Sequence, residues 1–132
     1  MKFIRQCSLG LLLVAGYTSA ATDINAIQAS DFDNIFVKKI ADDTKATSFV
    51  IFVKKHVKPH LHKTHTELLY VLEGSADMQL GEQHISLTPG TFVQIPKGTV
   101  HAVTVTSDTP LKVLSIQTPQ FHGQDRHFVT PQ

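Results

Sequence analysis

A chain of 132 residues suits one domain and is too short for two of ordinary size. Its 42% hydrophobic content is that of a globular protein. A net charge of +1, without any basic run or basic-aromatic alternation, gives no footprint for nucleic acid or an anionic membrane, and both are excluded as expected partners.

The first segment, residues 1–20, has the three parts of a secretory signal peptide. Lys2 and Arg5 supply the charged start, Cys7 to Tyr17 the short apolar stretch, and Thr18-Ser19-Ala20-Ala21 the small residues for cleavage after Ala20 or one residue later. The bland alternative is a buried N-terminal helix or strand. The apolar stretch is too short to remain as a spanning anchor. Cys7 sits away from the cleavage site, so no lipidated cysteine is expected. The mature chain then has no cysteine, needs no disulfide, and carries a net charge of about −1 once Lys2 and Arg5 are removed.

Residues 21–45 read as an N-terminal arm with a turn or short helix at Ser30-Asp31-Phe32-Asp33 and a strand at Phe36 to Ile40. Residues 46–118 read as a barrel or sandwich. Phe49 to Val53 and Glu67 to Glu73 are apolar runs of buried-strand type, and Ala76 to Leu80 alternates. Gly81-Glu82 turns the chain back into His84 to Leu87, and Pro89-Gly90 and Lys97-Gly98 flank a strand at Phe92 to Ile95. His101 to Thr106 and Leu111 to Gln117 are the last long strands, and residues 119–132 read as a polar tail without periodicity. Short strands at regular spacing, with turn residues between them and no helical period, make the chain all-β. Phe49, Ile51, Val53, Leu69, Val71, Phe92, Val103, Leu114 and Ile116 are the expected interior.

Chemistry concentrates in two stretches. His60 and His62 are two apart and share one face of a strand, Glu67 opens the next strand, and His101 follows a Pro-x-Gly turn. Imidazole and carboxylate are the usual ligands of divalent transition metals, and one closed barrel directs these four side chains to one point. His65 reads first as a solvated loop residue, and in its functional role as an acid/base at the pocket mouth or a hydrogen-bond partner of the ligands. Gln94 stands evenly between the interior and the outer sheet face. Tyr70 and Met78 are pocket-wall candidates whose plainer role is core packing. His56, His84, His122 and His127 read as surface residues. No nucleophile motif and no phosphate-cradling glycine loop competes with metal chemistry.

At these residues the chain resembles the cupin superfamily. His60, His62, Glu67 and Gly74 match the first cupin motif, G-x5-H-x-H-x(3,4)-E-x6-G. Gly90, Pro96, Gly98 and His101 match the second, G-x5-P-x-G-x2-H-x3-N. Lys54 stands where the first motif opens with glycine, and Val105 where the second ends with asparagine. The resemblance implies a double-stranded β-helix, or jelly roll, and one divalent transition metal (Fe, Mn, Ni, Cu or Zn) held by His60, His62, Glu67 and His101. It implies a small-molecule ligand, with Glu67 and His65 as the catalytic candidates and a dioxygenase, isomerase or lyase reaction. It also allows a homodimer made by pairing sheet edges or exchanging N-terminal strands. With the leader, the small bacterial type of cupin suggests a periplasmic protein, or else a secreted one. Two other functions remain open: a non-enzymatic module that binds or senses a small molecule or metal chelate, and a metal buffer using several of the eight histidines.

Overall fold

The computed structural model describes residues 21–130, so the leader expected at residues 1–20 lies outside them. Ten strands form in chain order: β1 (Ile35–Asp42), β2 (Thr47–Val53), β3 (His56–Leu61), β4 (Thr66–Glu73), β5 (Ala76–Leu80), β6 (Gln83–Leu87), β7 (Phe92–Ile95), β8 (His101–Val105), β9 (Leu111–Thr118) and β10 (His127–Phe128). They make two five-stranded antiparallel sheets, ordered β1-β2-β9-β4-β7 and β10-β3-β8-β5-β6. No described residue lies in a helix long and apolar enough to cross a membrane. The all-β fold expected from the turn spacing and the jelly roll implied by the cupin resemblance are both observed.

The inner faces of both sheets meet in one apolar core that includes Val53, Leu69, Val71, Met78, Ile95, Val103 and Val113. Strand alternation decides which residues reach it. On β7 the expected Phe92 is 60% exposed, and its neighbours Val93 and Ile95 are buried instead. On β9 the core face carries Leu111, Val113, Ser115 and Gln117, while Leu114 and Ile116 lie on the other face, half-buried. The expectation for Leu114 and Ile116 is corrected by one residue. Ser115 faces inward with a buried partner in Glu67, and alternation puts Gln117 on the same face, where its buried Oε1 has no partner among the described residues.

The N-terminal segment is part of the body. β1 pairs with β2 along its length, with one irregularity between Lys39 and Ala41. Ile24, Ile27 and Phe32, from the stretch before β1, pack with Phe36, Val50 and Phe52 on the outer face of that sheet. Lys112, only 1% exposed, is covered there and its Nζ donates to the Asn25 carbonyl at 2.9 Å and to Glu73 at 3.0 Å. A buried ammonium needs both partners to offset its lost hydration. The tail also contributes structure, since β10 pairs with β3.

Gly74 closes β4 with φ +77°, and an added Cβ would meet the Pro110 carbonyl oxygen at 2.6 Å. Gly74→Ala therefore combines left-handed strain with a backbone clash. It should cost about 1–3 kcal/mol in urea denaturation, and an unchanged midpoint would contradict this account.

Candidate metal centre

The centre is assembled from the sequence-predicted ligands, and a bulge is what aims one of them. β3 pairs with β8 through His56↔Thr104 and Val57↔Val103, then shifts register to His60↔His101. The shift falls at Lys58–Pro59, where proline has no N–H for the ladder. Because of the extra residue, Val57 and His60 line the same cavity despite an odd spacing. The His60 and His101 rings then lie 4.1 Å apart. His62 follows the strand end, and its carbonyl accepts from the Gly98 N–H at 2.6 Å, joining the two motifs. Glu67 comes from the opposite sheet, paired in register with Ile95 and Gln117.

His60, His62 and His101 are all buried and offer ligand nitrogens within 4.8 Å of one another. Their Nδ1 atoms donate to main-chain carbonyls: His60 to Lys58 at 2.8 Å, His62 to Asp125 at 2.6 Å, and His101 to Thr99 at 3.1 Å. A carbonyl only accepts, so each neutral ring carries its lone pair on Nε2. The Nε2 atoms of His62 and His101 face Glu67 Oε2 at 3.3 and 3.6 Å. His62 Nε2 has no hydrogen-bond partner. Two acceptors facing each other in a buried site need either a shared proton or a metal cation between them. Ligand atoms about 2.0–2.2 Å from one metal lie about 3–3.5 Å apart, so the donor set fits a metal.

The electrostatics of His60 and Glu67 favour coordination, whereas His62 holds its proton more tightly in the metal-free site. Burial, with the charge of His101 as the next cause, lowers the His60 pKa to about 4, so the ring is neutral and ready to coordinate at ordinary pH. Burial also pulls His62 down, but Glu67 and the Asp125 carbonyl outweigh it and its pKa lies above the usual value. Burial opposes charge on Glu67, yet contacts from His101, His62 and the Ser115 hydroxyl (2.5 Å) hold it below the usual carboxylate range.

Other expectations are corrected. His65 is buried rather than solvated, and it does not line the cavity. Its Nδ1 faces Asp125 Oδ2 at 2.5 Å and its Nε2 faces the Gln120 carbonyl at 3.0 Å, so both nitrogens are engaged. Gln94 is exposed on the outer face beside Leu68, and Tyr70, 41% exposed, pairs there with Phe92. Neither borders the cavity, because both occupy the outward positions of their strands. Met78 does line it.

The tail supplies what sequence reading missed. Asp125 is buried, and its carboxylate accepts from the backbone N–H of Lys63 and Thr64 at 2.9 and 2.8 Å and from His65, while its carbonyl orients His62. These bonds hold its carboxyl well below the usual range against burial. Arg126 borders the cavity beside it. Neither position carries a sequence signal, since the strand that fixes them is two residues long.

Fold and site together define a double-stranded β-helix with a three-histidine centre positioned for a metal. The family profile described as the cupin domain matches residues 49–117, and the chain belongs to the cupin family. An uncharacterized protein of Aquifex aeolicus is 31% identical over 93 residues, covering 70% of this chain and 76% of that one. The quercetin 2,3-dioxygenase of Bacillus subtilis is 46% identical over 43 residues, 33% of this chain and only 13% of the dioxygenase. Among solved structures, KdgF from Halomonas sp. superposes with a TM-score of 0.69 at 19% identity, covering 80% of this chain and 97% of KdgF. A Klebsiella pneumoniae protein with a double-stranded β-helix domain reaches a TM-score of 0.74 at 14% identity, covering 86% and 94%.

Two outcomes test the centre. Asp125→Ala should leave the barrel folded but weaken metal affinity by about 10–100-fold in chelator competition, because it frees the segment that orients His62. Unchanged affinity would remove Asp125 from the site. In metal-free protein, folded His60 refuses a proton below about pH 6.5 that the unfolded chain accepts. Its contribution therefore destabilises the fold as pH falls from about 6.5 to 4, while the depressed Glu67 and Asp125 lose stability only below the ordinary carboxylate range. His62, shifted the other way, offsets part of the first effect. The melting temperature should fall across that window, and less steeply in His60→Asn.

Proposed function

We propose that this chain is an exported cupin that holds one divalent transition metal through His60, His62, His101 and Glu67 and acts on a small molecule by metal-dependent chemistry. The observation that carries this reading is the gathering of three buried imidazole ligand nitrogens within 4.8 Å of one another, two of them facing the Glu67 carboxylate, with each ring's other nitrogen held by a carbonyl. A metal bound there supplies Lewis-acid polarisation of a ligand oxygen or a redox centre. The chain contributes the rest. Main-chain carbonyls fix the imidazoles, and Ser115 fixes one oxygen of Glu67 and leaves the other facing the histidines. Met78, Leu69, Val103 and Val113 keep water from the ligand and lower the local dielectric. Glu67 is the acidic residue at the cavity and the group available to move a proton there. Dioxygenase, isomerase and lyase chemistry all use such a set, and the likeness to a stretch of a quercetin dioxygenase supports the oxygenase branch. Export rests on the leader at residues 1–20 and on the absence of cysteine after Cys7. A periplasmic or secreted location follows from the same leader.

A second reading is capture of a small ligand without turnover. It is supported by the engagement of both His65 nitrogens and the outward position of Gln94, which leave Glu67 without a second acid or base beyond the imidazoles.

Elemental mass spectrometry of untagged protein from the periplasmic fraction tests the proposal. About one metal per chain is expected, lost in a His60→Ala/His62→Ala/His101→Ala variant. Iron would favour oxygen chemistry, and zinc, manganese or nickel would favour Lewis-acid chemistry. No metal, even after reconstitution of chelated protein, would overturn it.

A further inference from the structure

β1 and β10 are terminal strands of the two sheets, and the cavity opens beside them. Its enclosed part has a volume of about 60 Å³. The lining residues that keep exposure there are Ile35, Val37 and Arg126. β10 runs antiparallel to β3 with Phe128↔His60 and His127↔Leu61. One further step sets Arg126 opposite His62, on the face that carries the centre, and Arg126 borders the same cavity as His60, Glu67 and His101.

This arginine makes no ion pair among the described residues. The neighbouring carboxylate, Asp125, is used by the 63–65 segment and by His127. Glu67 is engaged by Ser115 and the imidazoles. With a divalent cation in place, Glu67 leaves the cavity net cationic. Apart from the centre and Arg126, the lining is aliphatic or Met78, and no hydroxyl or amide side chain borders it among the described residues. Such walls cannot satisfy the hydroxyls of a sugar, and each unpaired hydroxyl would carry a desolvation cost. A guanidinium keeps its charge and presents paired donors to a carboxylate.

We propose that Arg126 selects the ligand of this cavity, a small carboxylic acid whose remaining body is apolar. The assignment rests on the cavity being the ligand site of the function proposed above.

The probes are 3-methylbutanoate, its neutral amide 3-methylbutanamide, and D-glucuronate, titrated by protein-observed NMR into zinc-loaded protein. The acid should bind at least about tenfold tighter than the amide, with shifts at Met78 and Val103, since a hydrogen bond to a charged group contributes about 1.5–3 kcal/mol. Glucuronate should bind more weakly than 3-methylbutanoate. In Arg126→Gln the acid should lose about tenfold in affinity while zinc content and melting temperature stay at the wild-type level, and Arg126→Lys should recover part of the loss. Acid binding unchanged in Arg126→Gln, or glucuronate binding as tightly as 3-methylbutanoate, would overturn the assignment. If the chain takes up neither zinc nor iron, manganese, nickel or copper on reconstitution, the metal proposal fails on its own. The Arg126→Gln comparison in metal-free protein then still decides whether Arg126 holds the acid.

Discussion

Three imidazoles and a carboxylate in an apolar barrel are an unstable set unless something holds them. Here each ring gives one N–H to a main-chain carbonyl, so the remaining lone pairs have no choice of direction. The carbonyls belong to residues whose positions are set by backbone geometry: Lys58 at the bulge, Thr99 after the Pro-x-Gly turn, and Asp125 in the tail. The site is therefore fixed by main chain, and side-chain packing around it serves mainly to keep it dry. Buried acceptors that face one another raise the energy of the empty fold, and binding a cation relieves it. A metal bound there would therefore draw on the same interaction as folding.

The same constraint explains why Ser115 lies in the core. Ser115 and Gln117 occupy the inner face of β9 where the sequence offers Leu114 and Ile116 as alternatives. Turning the strand over would bury two more aliphatic side chains. It would also remove the Ser115 hydroxyl from Glu67 and leave a buried carboxylate oxygen without a donor. The strand's outer face loses little, because Leu114 lies opposite Val50 there.

Legibility in the sequence followed the length scale of each signal. The strands and turns were readable because glycine and proline mark the corners and alternation marks the faces. The ligands were readable because a fixed spacing links His60, His62, Glu67 and His101. The facing of β7 and β9 was not. Apolar residues occupy both faces of these strands, so periodicity alone cannot choose between Phe92 and Val93 or between Val113 and Leu114. His65 was misplaced because its solvated reading assumed a free loop. Its real partner lies 60 residues away, in a segment that looks like an ordinary polar tail. Arg126 was invisible for the same reason.

The β10 pairing makes one imidazole depend on a distant and lightly held part of the chain. The Asp125 carbonyl that orients His62 lies 63 residues along the chain from it and is carried beside a strand of only two residues. So short a strand is held by few backbone bonds, and local opening of this segment would unclamp His62 while the barrel stays folded. The sharpness of the centre is thus governed by the shortest strand pairing among the described residues, and fraying there would blur it first.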